Sequence, residues 1–147
     1  MGNNIIIRQM DRSDLEALVQ IDSDILGVVR RDYYRDKIEK SLDRDNRICS
    51  WVAIDADKVV GFIMGAVYLG EYGVKESSAV VDTIGVYPQY QGFGIAGMLY
   101  KEFLENVKRI GIKKIYTIVD WEDLDLIKFF NGEGFAPSKR LCLEMNI

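Results

Sequence analysis

The chain has 147 residues, 48% hydrophobic and 29% charged, and this composition predicts a single globular domain over residues 1–147. A formal net charge of −4 argues against binding to nucleic acid, because phosphate contacts need a basic surface. The chain contains no histidine, which excludes imidazole bases, histidine-containing catalytic triads and histidine metal sites.

The spacing of apolar residues predicts the elements of the first half of the chain. In chain order these are a strand at 5–10, a helix capped by Asp11, a short irregular link at 23–29, a helix that carries Tyr33 and Tyr34, and an antiparallel hairpin of strands at 49–54 and 59–68 around a tight turn at 55–58. Gly61 and Gly65 interrupt the second hairpin strand, which indicates bulges or a close approach by another backbone.

The second half predicts a strand at 79–86, a helix that Gly111 ends, a strand at 114–119, a short helix at 124–130 and final strands that end at Met145. A strand, a helix and a strand in this order form one parallel crossover. The predicted fold is therefore α+β, with a mixed, mostly antiparallel central sheet and one βαβ crossover.

Cys49 and Cys142 have no metal-ligand spacing, and two buried, reduced thiols are favoured over a disulfide. No apolar run is long enough to span a bilayer, and no signal-peptide pattern is present. These features predict a cytoplasmic protein without membrane contact, and a homodimer is left open.

A glycine-rich turn at 91–97, with the sequence Gln-Gly-Phe-Gly-Ile-Ala-Gly, joins the strand at 79–86 to a helix. Unpaired N–H groups and the dipole at a helix start favour an anion, and glycines let a phosphate approach the backbone. The glycines also fit the dinucleotide pattern G-x-G-x-x-G, but that turn usually opens the first of several crossovers. A turn that only packs a helix against a strand is the third alternative.

Val86, Pro88 and the run at 91–96 resemble motif A of the GNAT superfamily of N-acetyltransferases. Phe129 and the pair Gly134-Phe135 are similar to the motif that follows in that family. The order of elements also matches over nearly the whole chain. The resemblance implies the GNAT fold and transfer of an acetyl group from acetyl-CoA, without a metal, to a primary amine that attacks directly.

The resemblance also implies where the co-substrate binds. The diphosphate would lie on the turn formed by Gln91, Gly92, Phe93, Gly94, Ile95, Ala96 and Gly97. The pantetheine arm would run beside Ile84, Gly85 and Val86, where a backbone N–H polarises the thioester carbonyl. The acceptor would be the amine of a small molecule, a peptide or a protein.

The chain departs from the family pattern at three positions. Phe130 stands where many members have a tyrosine that protonates the departing thiolate, and Asp123 stands where an asparagine is frequent. On this basis both are expected at the cofactor site. Ile118 occupies the position of a base found in the branch that acts on protein N-termini. A catalytically degenerate domain that binds acyl-CoA as a sensor or interaction module is therefore the alternative function.

Asp82 is the candidate catalytic residue, because it is the only charge in the strand at 79–86. Alternation predicts that it shares a face with Val80, Ile84 and Val86. It would take a proton from the acceptor ammonium through water, or hold the ammonium, and a purely structural role is the alternative. The candidate acceptor-site residues are Tyr33, Tyr34, Glu71 and Tyr72, with Tyr116 beside the cofactor cleft.

Overall fold

The computed structural model describes residues 4–43 and 46–147. In chain order the elements are β1 (Ile6–Gln9), α1 (Leu15–Leu26), α2 (Arg31–Ser41), β2 (Trp51–Asp55), β3 (Lys58–Leu69), β4 (Ser77–Val86), α3 (Ile95–Arg109), β5 (Ile115–Thr117) and α4 (Leu124–Gly132). Single 3-10 turns lie at Arg12–Asp14, Arg47–Cys49, Glu71–Gly73 and Pro88–Tyr90.

The strands form one sheet in the order β1-β2-β3-β4-β5. The first three pairings are antiparallel, and β4 pairs with β5 in parallel across the α3 crossover. The turn of the β2–β3 hairpin places Ala56 and Asp57 at positive φ, as a tight hairpin turn requires. The predicted mixed, mostly antiparallel sheet with one crossover is confirmed.

The helices cover opposite faces of this sheet. A Cβ atom on Gly61 would lie 3.3 Å from Leu99 of α3, whereas one on Gly85 would lie 3.6 Å from Ile21 of α1. Gly61 pairs with Val86, and the next pair along the strands joins Phe62 to Gly85, so the two glycines face opposite sides. Tyr34 of α2 packs edge-on against Phe62. Thus α1 and α2 lie on one face and α3 lies on the other.

Gly65 of β3 lies close to the backbone of β4 and to a side chain of α3. A Cβ atom there would lie 2.5 Å from the carbonyl oxygen of Val80 and 2.7 Å from the ring of Phe103. Only glycine fits this position without a shift of the backbone, so the close approach predicted for Gly65 is confirmed.

The first two helices are joined by an ion pair between the buried Asp22 and the half-buried Arg30. Arg30 donates to both carboxylate oxygens of Asp22, at 2.8 and 2.7 Å, and the hydroxyl of Tyr34 donates to the same carboxylate at 2.8 Å. Burial alone would raise the pKa of Asp22, but these hydrogen bonds hold it below its ordinary value. The irregular link predicted at 23–29 is wrong for its first residues, because α1 continues through Leu26 and ends at Gly27 with φ +80°.

The strands predicted to end at Met145 are not formed. Within the described part of the chain no strand follows β5, and residues 136–147, here called the 136–147 segment, are exposed. Its alternating apolar residues are typical of a strand, but a strand forms only where a neighbour pairs with it. Cys142 in this segment is exposed, so the prediction of a buried thiol is wrong there.

Cys49 is buried as predicted, and burial raises the pKa of its thiol to about 12. Over the described residues, no helix is both long enough and apolar enough to cross a bilayer.

Candidate functional site

The central feature of the site is the divergence of β4 from β5. Their pairing runs from Ala79 opposite Ile115 to Val81 opposite Thr117. At this last pair, the Thr117 hydroxyl donates to the Val81 carbonyl at 2.9 Å. Strand β4 continues to Val86, so over the described residues its edge at 82–86 has no strand partner on the β5 side. Unpaired backbone groups therefore line a gap between the two strands.

The glycine-rich turn lies at the end of β4 and leads into α3. Gly92 and Gly94 adopt φ of +86° and +80°, which L side chains rarely adopt. The first α3 hydrogen bond joins the N–H of Met98 to the carbonyl of Gly94 at 3.0 Å, and no side chain caps the helix. The N–H groups at the helix start therefore point outward, where the dipole favours an anion.

The space around the turn suits a diphosphate. A Cβ atom on Gly92 or Gly94 would meet no other described atom within 4 Å, so the surface in front of the turn is open. The Gln91 side chain donates to the Val86 carbonyl at 3.1 Å and ties the turn to the end of β4. Ile95 is buried and its side chain belongs to the core, whereas Phe93 is exposed.

The gap beside β4 also suits an extended part of a ligand that forms hydrogen bonds with the backbone of β4. Ile84 and Val86 pair with Ile63 and Gly61 of β3, so their other edge faces the gap. A Cβ atom on Gly85 would lie only 2.9 Å from the Phe62 ring. Glycine at 85 is therefore explained by core packing, and this residue offers a ligand only its backbone.

Asp82 is the extra residue of a β-bulge. Met64 pairs with Thr83 and the next residue, Gly65, pairs with Val81, which leaves Asp82 without an opposite residue. Its carboxylate pairs with Lys37 of α2, so it lies on the α1/α2 face, away from Val86. The prediction that Asp82 shares a face with Val80, Ile84 and Val86 is wrong, because the bulge breaks the alternation.

Asp82, Lys37 and Tyr33 form a cluster on this face, here called the Asp82 cluster. The Thr83 hydroxyl donates to Oδ2 of Asp82 at 3.0 Å, and the same oxygen accepts from Lys37. Oδ1 accepts no hydrogen bond from the described residues, and the Asp82 side chain is 39% exposed. A cationic ligand can therefore reach the free oxygen.

The charges of the cluster are coupled. Burial disfavours the ammonium of Lys37, but the hydrogen bond and charge of Asp82 outweigh this and raise the pKa of Lys37. The Lys37 ammonium lies 5.5 Å from the Tyr33 ring centre, and the Arg30 guanidinium lies 4.6 Å from it. Sequence analysis missed Lys37, although its place four residues after Tyr33 puts both on one side of α2.

Tyr34 does not belong to the acceptor site. Its side chain is fully buried and its hydroxyl is bonded to Asp22, so the assignment is corrected to a core residue. Glu71 and Tyr72 lie in the exposed turn between β3 and β4, before the start of β4 at Ser77. The Tyr72 carbonyl accepts a hydrogen bond from Arg140 at 3.0 Å. The role of Glu71 and Tyr72 toward an acceptor stays a prediction.

Asp123 and Phe130 have structural explanations. An Asp123 oxygen accepts the N–H of Leu126 at 3.1 Å and caps α4. Phe130 is only 4% exposed, and its ring packs against Phe129 and Phe135 at 5.2 and 5.0 Å between centres. The assignment of Phe130 to the cofactor site is therefore corrected to the aromatic core.

The gap between β4 and β5 connects the two faces of the sheet. The glycine turn and α3 lie on one face, and the Asp82 cluster lies on the other. A donor held at the turn can thus present its reactive end through the gap to a cation bound at Asp82.

A sequence profile described as Acetyltransferase (GNAT) family matches residues 15–135. The aminoglycoside N-acetyltransferase AAC(6')-Iy in complex with CoA has a TM-score of 0.83 at 19% identity, with 99% of this chain and 97% of that chain covered. A transcriptional regulator from Bacillus halodurans C-125 has a TM-score of 0.80 at 22% identity, covering 98% and 100%.

A ribosomal-protein-alanine N-acetyltransferase from Brucella melitensis biovar Abortus 2308 has a TM-score of 0.77 at 16% identity, covering 98% and 99% of the two chains. At these identities the likeness shows a shared fold. No curated protein sequence matches the chain significantly.

Proposed function

The chain belongs to the GNAT family of acetyltransferases, and we propose that it transfers an acetyl group from acetyl-CoA to a primary amine by direct attack. The observation that carries the proposal is the gap between β4 and β5, which opens beyond Val81 directly beside the uncapped start of α3. It offers an anion site and a free strand edge in one continuous surface.

The donor side of the site consists of backbone groups. N–H groups at the start of α3, from Ile95 to Gly97, donate to the diphosphate. The free edge of β4 at 82–86 bonds to the pantetheine arm, and an N–H of this edge polarises the thioester carbonyl. Acetyl-CoA supplies the activated acyl group, and the chain orients it toward the α1/α2 face.

The acceptor side is the Asp82 cluster. An alkylammonium has a pKa of roughly 10 and must lose a proton before it can attack. The free oxygen of Asp82 holds the ammonium and receives that proton through water. The exposed Tyr33 ring offers the cation an aromatic face next to this carboxylate. The acceptor class is a small-molecule amine or an amine of a peptide or protein.

Binding of the co-substrate is tested with a glycine variant. Gly94→Glu places a negative side chain in front of the helix start and is expected to abolish CoA binding measured by calorimetry. Gly111→Glu is the matched control, because Gly111 ends the same helix at φ +90° and also has open space around its Cβ position. Equal CoA affinity in both variants would show that the diphosphate binds elsewhere.

Turnover is tested by release of free thiol from acetyl-CoA with amines, polyamines, amino acids and peptide N-termini. A catalytically degenerate domain that binds acyl-CoA is the second candidate, favoured by the burial of Phe130 where many members have a tyrosine. CoA binding without thiol release for any acceptor class would select this alternative. A shift in melting temperature with NAD but not with CoA would contradict both.

A further inference from the structure

Exposed aliphatic side chains cover the end of α1 and the link to α2. Residues 25–29, here called the aliphatic strip, consist of four aliphatic residues and one glycine. Ile25, Leu26, Val28 and Val29 are 43%, 55%, 54% and 66% exposed. Single apolar residues on a surface are common, but four within five residues form a contiguous patch. Such patches mark places where a ligand or a partner binds.

The aliphatic strip is continuous with the Asp82 cluster. Val29 directly precedes Arg30, whose guanidinium lies 4.6 Å from the centre of the Tyr33 ring. Lys37, one turn further along α2, lies 5.5 Å from the same ring centre and pairs with Asp82. The exposed Tyr33 ring therefore lies between the carboxylate and the strip, and the three form one surface.

This surface follows the part of β4 that borders the gap. Along α2, the side chain that pairs with Asp82 comes after Tyr34, which packs on Phe62, the residue opposite Gly85. Helix α2 therefore runs back along β4, and its start lies toward the end of that strand. A Cβ atom on Gly85 would also lie 3.6 Å from Ile21, and α1 continues from there to the aliphatic strip. The strip and the Asp82 carboxylate thus flank the open stretch of β4.

We infer that the acceptor is a small-molecule monoamine with an apolar body, which lies on the aliphatic strip while Asp82 holds its ammonium. The inference rests on the proposed function and names its acceptor class. The strip offers aliphatic side chains without donors or acceptors, so it suits a hydrocarbon chain better than a peptide backbone, whose amides would lose water there.

The reaction of such an amine balances. Its nitrogen forms a bond to the acetyl carbon while the carbon–sulfur bond of acetyl-CoA breaks. The ammonium loses two protons in the course of the reaction: one passes through water at Asp82 to the solvent, and one is balanced by protonation of the thiolate. The products are the N-acetylated amine, the thiol of CoA and one proton.

A second positive charge at the far end of the acceptor is disfavoured. A diamine would place this ammonium on the aliphatic strip, where it would lose water without gaining a partner. The charged residue that follows the strip is Arg30, another cation, and its partner Asp22 has a side chain that is only 8% exposed. Asp24, which precedes the strip, accepts a hydrogen bond from Gln20 at 2.7 Å and so points back along α1. Polyamines are therefore expected to be poor acceptors.

Thiol release with three amines tests the acceptor class. Ethylamine and hexylamine have nearly the same basicity and differ in their apolar body, and each methylene that leaves water is worth up to about fourfold. The kcat/KM of hexylamine is expected to exceed that of ethylamine by about tenfold or more. Hexane-1,6-diamine is expected to fall about tenfold or more below hexylamine. A diamine that equals hexylamine, or a short peptide with apolar first residues that surpasses it, would overturn the inference.

A double variant tests the place of the apolar body. Val28→Ser combined with Val29→Ser removes apolar surface from exposed positions and is expected to lower the ratio of kcat/KM between hexylamine and ethylamine about threefold or more. Ile110→Ser is the matched control, because Ile110 is 54% exposed like Val28 but follows α3 on the other face. It is expected to leave the ratio unchanged. An unchanged ratio in the double variant would overturn the inference.

A binding measurement separates this inference from the proposed reaction. Calorimetry of hexylamine with the protein in the presence of CoA requires no turnover. Binding that weakens in the double variant, in a protein that releases no thiol, would support the amine site and refute the reaction. Thiol release with equal kcat/KM for hexylamine and ethylamine would overturn the inference and leave the reaction standing. Failure of hexylamine to bind would overturn the inference as well.

Discussion

Replacing Gly65 by alanine tests the packing that shapes the Asp82 bulge. The added methyl would lie 2.5 Å from the Val80 carbonyl oxygen and 2.7 Å from the Phe103 ring. Overpacking costs about 1–3 kcal/mol, and a clash with a strand backbone belongs at the upper end of this range. The loss of chain entropy in the unfolded state offsets about 0.4–1 kcal/mol. The net loss in the free energy of unfolding is about 2–3 kcal/mol.

For a chain of this size, the loss corresponds to a fall in melting temperature of roughly 4–12 °C. Gly61→Ala is the matched control on the same strand and face, because its nearest contacts are 3.2–3.3 Å. It is expected to change the free energy of unfolding by less than about 1 kcal/mol. Urea unfolding and calorimetry measure both variants. Equal stabilities, or a larger loss for Gly61→Ala, would refute the close approach at Gly65.

Asp82→Asn is expected to lower kcat by about 10²-fold or more while leaving CoA affinity unchanged, since the donor turn lies on the other face. A loss confined to KM would show that Asp82 only holds the ammonium, and a fall in melting temperature with normal kinetics would show a structural role. Phe130→Tyr is expected to lower stability by about 1–3 kcal/mol, because the ring is buried, without a gain in turnover. A gain would show that the new hydroxyl reaches the reacting sulfur. Asp22→Asn is expected to cost about 1.5–3 kcal/mol at pH 7, because Arg30 and Tyr34 lose their charged acceptor. Because the pKa of Asp22 is lowered in the folded state, its contribution is complete above about pH 4 and is lost as pH falls further. Urea unfolding from pH 7 to pH 2 should therefore show the two proteins converging in acid, and a constant difference would contradict the ion pair.

Local signals in the sequence were sufficient for most of the fold. The turn at 55–58 and the stop at Gly111 depend on backbone preferences of a few neighbouring residues, and both were predicted correctly. The end of α1 was misplaced, because the polar residues 23 and 24 resemble a link although Leu26 keeps the helical spacing. The strands expected up to Met145 required a pairing partner, which periodicity within one segment cannot supply.

The site was predictable where it depends on backbone and unpredictable where it depends on tertiary contacts. The glycine turn follows from residue type and position alone. The face of Asp82 depends on the register between β3 and β4, because one extra residue in the bulge reverses the alternation. Tyr33 and Tyr34 are neighbours with the same side chain, and only the packing of α2 decides that the second is buried. Lys37 was missed because its partner is 45 residues away.

The gap between β4 and β5 separates the residues that would set acceptor specificity from those that would bind the co-substrate. In the proposed reaction, backbone groups on the α3 side bind the donor, and side chains of α2 on the other face meet the acceptor. Substitutions more than about 7–10 Å apart that share no partner usually act additively. New acceptor specificities can therefore arise by exchange of surface residues on α2, such as Tyr33 and Lys37, at no cost to co-substrate affinity. Because β4 and β5 separate after three paired residues, residues on the α2 side can be substituted while the glycine turn on the α3 side stays the same.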